Sequence, residues 1–287
     1  MPHFNINTTN ELARLLLAAP QEIVQINRNR RRYYRNICLR KRDGSSRVLR
    51  VPEGPLKVFQ DKVRRHVLDQ VPLLDCVQGG VRGRSVVTNA KPHVGKQVVF
   101  TLDVKDFFPS VSPRTVKTIF GFLGFEGQAL DALVDATTWD NQLPQGAPTS
   151  VAVANLAMFR VDVRLSRLAR QQGFAYTRYV DDLALSGSWR LLDFRRLVLR
   201  VVEEEGFRVN RAKVKTMPAG TRQVVTGIVV NEKLNLPREQ RNSIRGNVLS
   251  SSTRSGIVAA RIRGQLAWLF SVNPRQAFRL QRASRLP

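Results

Sequence analysis

The chain has 287 residues, 43% of them hydrophobic and 24% charged, a globular balance that excludes disordered, collagenous and coiled-coil architectures. Lysine and arginine number 47 against 22 aspartates and glutamates, a net charge of +25, and 37 of the cations are arginine. So basic a chain seeks polyanions, and arginine's planar fork suits phosphate, which favours nucleic acid over a membrane surface.

Residues 11–19 are predicted as a helix, with Leu12, Leu15, Leu16 and Ala19 on one face and Pro20 interrupting it. The apolar run from Leu15 is far shorter than the ~20 residues of a membrane span, and no basic region precedes it. No targeting or anchoring segment is therefore expected, and with only Cys38 and Cys76 in the chain neither is a disulfide framework, so the cytoplasm is the expected location with no membrane partner. Arg28, Arg30, Arg31, Arg32 and Arg35 form a phosphate-seeking face. Residues 34–39 and 46–51 flank Lys41-Arg42-Asp43-Gly44-Ser45, whose Asp-Gly pair predicts a hairpin with a cationic tip. Over residues 56–71 Leu56, Phe59, Val63 and Val67 fall on the inward face of a basic helix.

Residues 98–102 read as a buried strand that ends on Asp103. The loop 143–150 introduces a long helix over 151–171, and strands at 175–180 and 183–186 meet at Asp181-Asp182. A helix at 191–205, a strand at 224–230 and a basic helical tail at 257–282, interrupted near Pro274, complete the chain. The tail carries Arg254, Arg261, Arg263, Arg275, Arg279, Arg282 and Arg285. The order strand, helix, strand, strand, helix, strand around the three aspartates suggests a ferredoxin-like α+β core.

Adjacent carboxylates repel, so Asp181 and Asp182 at a strand turn require an explanation. An isolated Asp-Asp is most simply a solvated turn. With Asp103 delivered by a second strand, divalent metal is the better reading, because Mg2+ combines a few carboxylates with waters and substrate phosphates. The glycine-rich stretch from Gly79 to Ser85 lacks the spacing and the lysine of a nucleotide-triphosphatase loop.

Three segments together resemble the reverse transcriptases: Tyr179-Val180-Asp181-Asp182, Leu102-Asp103-Val104-Lys105-Asp106-Phe107-Phe108, and Leu143-Pro144-Gln145-Gly146-Ala147-Pro148-Thr149-Ser150, in the family's order and spacing. The likeness runs from about Tyr33 to Leu236. It is strongest to the bacterial retron enzymes, whose Asn-Ala-x-x-His and Val-Thr-Gly elements match Asn89-Ala90-Lys91-Pro92-His93 and Val225-Thr226-Gly227. Val180 stands where retron enzymes usually have alanine, and Gln78-Gly79-Gly80 where they often have His-Gly-Phe.

The resemblance implies an α+β right-hand polymerase with basic fingers over 1–95, a ferredoxin-like palm over 96–228 and a helical thumb over 229–287. It leaves no room before Pro287 for a ribonuclease H, maturase or endonuclease domain. It implies that Asp103, Asp181 and Asp182, with the Val104 carbonyl, hold two Mg2+ ions, and that Lys213 protonates the leaving pyrophosphate. It implies that Lys41 and Arg47 grip a deoxynucleotide triphosphate, that Gln145 contacts its sugar and phosphate, and that Phe108 excludes a 2′-hydroxyl. The alternative for Phe107 and Phe108 is that both are core, and at least one of the two is expected to be. By the same likeness Asn89, His93, Val225, Thr226, Gly227, Arg261 and Arg263 are candidate RNA-binding residues. Taken alone, His93 reads as a structural hydrogen-bonding residue. The expected function is RNA-directed DNA synthesis on a dedicated structured non-coding RNA that is both template and primer, with an effector protein encoded elsewhere and a role in antiphage defence. The rival readings are a non-retron bacterial reverse transcriptase and an inactive RNA-binding protein on the same fold.

Overall fold

Two short helices open the chain, α1 (Thr9–Leu15) and α2 (Pro20–Asn29), in a computed structural model that describes residues 2–40, 44, 46–249 and 256–284. The single helix expected over 11–19 is thus shorter, and Pro20 begins the second helix rather than merely ending the first. Both follow from proline's missing N–H, which cannot continue a helix but costs nothing in a first turn. The hairpin has the expected place: β1 (Tyr34–Arg40) pairs antiparallel with β2 (Ser46–Pro52). Lys41, Arg42, Asp43 and Ser45 at its tip lie outside the described residues. In α3 (Gly54–His66) the inward Leu56, Phe59 and Val63 are buried, as is Val67 just beyond. The short α4 (Val86–Ala90) is capped by Ser85.

The centre of the molecule is an antiparallel sheet. Its strands are β3 (Val98–Asp103), β4 (Ala175–Tyr179), β5 (Asp182–Gly187) and β6 (Lys215–Pro218), in the spatial order β4-β5-β3-β6. Between β3 and β4 the chain forms α5 (Phe107–Ser110), α6 (Pro113–Phe122), α7 (Gly127–Thr137), α8 (Ser150–Ala157) and α9 (Phe159–Gln172), and α10 (Leu191–Glu204) links β5 to β6. This is the ferredoxin-like arrangement, with its last strand at Lys215–Pro218 and not at 224–230 as the sequence suggests. The long helix expected over 151–171 is two helices, parted at Met158, where ψ is 0°.

Period-two alternation lets β3 serve two cores at once. Val98, Phe100 and Leu102 join the larger core with the helices, whereas Val99 joins a smaller one with Ala184 and Met217. The smaller core continues into α11 (Arg238–Leu249), α12 (Gly256–Val272) and α13 (Pro274–Ser284) through Ile244, Val248, Ile262, Leu269, Val272 and Ala277. Residues 224–230 form not one strand but a hairpin, β7 (Val224–Val225) and β8 (Ile228–Val229). Thr226 and Gly227 turn it, with φ of 45° and 83°, the doubly left-handed turn that matches the twist of its strands.

Candidate active site

The aspartates come together through strand register. Antiparallel pairing of β3 with β5 sets Asp103 opposite Asp182, and pairing of β4 with β5 sets Tyr179 opposite Asp182, leaving Val180 and Asp181 as the two turn residues. Val180 sits at φ 59°, left-handed backbone that a β-branched residue rarely adopts and that costs on the order of 1–3 kcal/mol. Neighbours hold it there. The Val104 amide donates to the Asp181 carbonyl at 3.0 Å, and Arg178 Nη1 donates to the Val180 carbonyl at 2.8 Å. A Cβ on Gly79 would stand 2.5 Å from the Val180 nitrogen, so only glycine fits against the turn.

Asp103 is buried, at 7% exposure, and its carboxylate accepts from Lys213 Nζ at 2.8 Å and from Asn210 Nδ2 at 3.2 Å. Lys213 is raised above its ordinary value, chiefly by that hydrogen bond. Asp182 is open to solvent on one side, but protein packed on the other strips water from its carboxyl and, with repulsion from Asp181 and then Asp103, pushes it up to about 6. Asp181 is raised too, first by loss of water; Asp103 adds to the rise, while Lys213 and Arg47 oppose it. Carboxyls held against their own repulsion are a hard-oxygen donor set suited to Mg2+. Among the described residues no three or more carboxyl, imidazole or thiol side chains stand close enough to hold a metal ion by themselves. Mg2+ shared with substrate phosphates and waters does not require it.

The β2 strand docks beside this cluster. The Arg50 amide donates to the Gln145 carbonyl at 2.8 Å, and Arg47 Nε donates to Gln145 Oε1. Arg50 also pairs with Asp140 at 2.8 Å and lies 5.3 Å over the Trp139 ring, contacts no sequence signal announced. Phe107 and Phe108 are both buried, Phe107 more so and packed at a tilt against Phe207 with ring centres 5.8 Å apart, while Phe108 retains 9% exposure. Lys41 lies outside the described residues.

A cleft of about 430 Å3 runs from Asp103 and Asp182 past Lys213, Lys215 and Arg222 to the Thr226-Gly227 tip. Asn89 and His93 are both buried, Asn89 in the wall of that cleft and His93 away from it. The His93 ring bonds Ser186 Oγ at 2.7 Å through Nδ1 and Thr177 Oγ1 at 2.8 Å through Nε2, and burial drives its pKa down to about 4. Val225 is likewise buried; Thr226 and Gly227 reach the surface, as do Arg261 and Arg263 on either side of the buried Ile262.

Residues 39–228 match the family described as reverse transcriptase (RNA-dependent DNA polymerase). The retron Mx65 reverse transcriptase of Myxococcus xanthus is 38% identical over 277 residues, covering 89% of this chain and 65% of that protein. The retron Ec86 reverse transcriptase of Escherichia coli is 30% identical over 252 residues, covering 86% of this chain and 79% of that protein. The chain thus spans less than two thirds of the Mx65 enzyme, and 58% of the retron Mx162 reverse transcriptase. The solved structure of Candida albicans telomerase, in complex with a telomeric RNA fragment, shares the fold over 88% of this chain and 55% of its own, with a TM-score of 0.52 at 10% identity. The family match over most of the chain, and the relatedness to the Ec86 enzyme over most of both proteins, lead to one conclusion: the chain belongs to the reverse transcriptase family, among the retron reverse transcriptases.

Proposed function

We propose that the chain is an RNA-directed DNA polymerase that copies a dedicated structured non-coding RNA serving as both template and primer. One observation carries the reading: the register that sets Asp103 against Asp182 beside the strained Val180 turn, in a chain of this family. Asp103, Asp181 and Asp182, with the Val104 carbonyl, would hold two Mg2+ ions, whose chemistry when bound is to activate a primer hydroxyl and neutralise the charge of departing pyrophosphate.

The chain's own residues do the rest. Arg47 and Gln145, already in contact, receive the triphosphate and sugar of an incoming deoxynucleotide with Lys41. Phe108, the more exposed of the two phenylalanines, closes the space a 2′-hydroxyl would need. Lys213, protonated and beside Asp103, supplies a proton to pyrophosphate. Fingers over 1–95, a palm over 96–228 and a thumb over 229–287 frame the cleft, the last boundary running through the β7–β8 hairpin. Arg261 and Arg263, exposed on α12, face RNA phosphates, and Thr226 and Gly227 meet the primer end. Among the described residues no helix is long and apolar enough to cross a membrane, and a cytoplasmic location fits this reading. An effector protein and a role in antiphage defence belong to the reading through kinship with the retron enzymes.

The test is primer extension by the purified chain on an RNA template with Mg2+, together with sequencing of the nucleic acid that copurifies. Extension with deoxynucleotides, and one structured RNA joined to DNA in the copurified pool, are the expected results. Lack of extension on both a generic template and the copurified RNA would refute the reading.

A further inference from the structure

Behind the aspartate turn, away from the cleft, lies a buried ion pair. Arg178 is 0% exposed and Asp162 1%. Arg178 Nη2 meets Asp162 Oδ2 at 2.6 Å, and Nε meets both carboxylate oxygens at 2.9 and 3.1 Å. Tyr176 donates its hydroxyl to Asp162 Oδ1 at 2.8 Å. The remaining donors go elsewhere. Nη1 reaches Asn155 Oδ1 at 2.9 Å and the Val180 carbonyl at 2.8 Å, and Nη2 reaches the Asn155 carbonyl at 3.4 Å. Asn155 in turn donates to the Gly79 carbonyl at 2.9 Å. The guanidinium's full set of N–H donors is engaged, a set no lysine offers.

Burying such a pair is costly, and replacing one by apolar residues of equal volume is often neutral for stability. Fold stability is therefore a weak account of it. The geometry of its Nη1 arm gives a better one, since one carbonyl it takes belongs to the residue whose backbone is left-handed. A strained conformation persists only where its surroundings over-determine it. Gly79 closes on the Val180 nitrogen, Arg178 takes the Val180 carbonyl, and the Val104 amide takes the next carbonyl, that of Asp181. The geometry assigns Arg178 as a positioning residue: its buried guanidinium pins the Val180 turn and so sets Asp181 and Asp182 as a cation-holding pair. This rests on the reading of those aspartates as metal ligands.

Arg178→Lys keeps a cation beside Asp162 but cannot serve Asp162, Asn155 and Val180 together. Groups standing behind metal ligands commonly contribute about 10–100-fold to metal affinity or activity, so Mn2+ used as a probe should bind Arg178→Lys about tenfold more weakly, with kcat down by about the same factor. The KM for deoxynucleotide and the affinity for primer–template should stay within about twofold, because their contact residues are untouched. Adding Val180→Gly should recover most of the Mn2+ affinity, since glycine takes left-handed backbone without the Cβ clash. If Arg178→Lys does not fold, the paired replacement Arg178→Met, Asp162→Leu removes both buried charges at once and should show the same loss of Mn2+. Wild-type Mn2+ affinity in a folded variant, or a loss that only tracks the unfolded fraction and that Val180→Gly leaves unchanged, would overturn the assignment. Mn2+ binding is read without DNA synthesis, so failure of this inference and failure of the polymerase reading are separate results.

Discussion

Asn89 and Thr226, 137 positions apart, are joined by a hydrogen bond of 3.2 Å from the Asn89 amide to the Thr226 hydroxyl. It links the two short elements that resemble retron enzymes most, and it fixes the β7–β8 tip beside the aspartate cleft from inside the protein. Asn89 is itself tied down, its carbonyl accepting from Thr177 Oγ1 on β4 at 3.2 Å. Asn89→Ala strips the tip of that donor and leaves the Thr226 hydroxyl its longer 3.4 Å bond to the Val86 carbonyl, a loss of about 1 kcal/mol. A lowered Tm and faster hydrogen exchange in β7–β8 are expected.

His93 has the opposite of a catalyst's environment. Its pKa falls from an ordinary 6.5 to about 4 because burial disfavours the imidazolium. The folded value lies below the unfolded one, so its contribution to stability is complete above pH 6.5 and is lost as pH falls towards 4. His93→Gln, which does not titrate, should lose stability at pH 7 yet show a flatter decline of Tm between pH 6.5 and 4. An unchanged acid slope would contradict the buried neutral ring.

Asp182 titrates in much the same window with the other sign. Its carboxyl is raised from 3.8 to about 6, so its contribution is complete below pH 3.8 and lost as pH rises through 6. In metal-free protein Asp182→Asn should therefore raise Tm at pH 7 and change it little at pH 4. Mg2+ should raise the wild-type Tm at pH 7 and leave that of Asp182→Asn nearly unmoved.

Phe107 and Phe108 separate core from gate. Phe107 is 3% exposed and packs against Phe207, so Phe107→Ala should cost about 3–5 kcal/mol of stability. Phe108→Ala should instead raise incorporation of GTP relative to dGTP in single-nucleotide extension. Should Phe107→Ala move that ratio while Phe108→Ala does not, the gate assignment is off by one residue.

The parts of this molecule legible in its sequence are those with local causes. The β-branched run ending on Asp103 is a strand, and Asp43-Gly44 marks the β1–β2 hairpin to within a residue. Periodicity does not separate β7 from β8, because the turn is only the pair Thr226-Gly227 inside an otherwise apolar run, with threonine an unusual turn residue. No element is expected over 113–137, where α6 and α7 stand, nor any hold of Trp139 and Asp140 on Arg50. The Arg178–Asp162 pair depends on α9 packing against β4, a tertiary fact. One signal was present: Asp162 shares the buried stripe of α9 with Leu165 and Ala169, where a lone charge calls for a partner. Gly79, which closes on Val180, is the residue of Gln78-Gly79-Gly80 that keeps the retron His-Gly-Phe pattern.

Asp103 and Asp182, set together by strand register, and Asp181 on the turn between them are proposed to drive DNA synthesis. The most direct test is extension of a primer on an RNA template by the wild-type chain and by Asp181→Asn, Asp182→Asn, with folding followed by Tm and circular dichroism. The neutral amides keep the shape of the turn but not its anionic oxygens, so the variant should fold, with a Tm at pH 7 at or above that of the metal-free wild type, and make no detectable DNA. Synthesis by the folded variant at the wild-type rate would contradict the account.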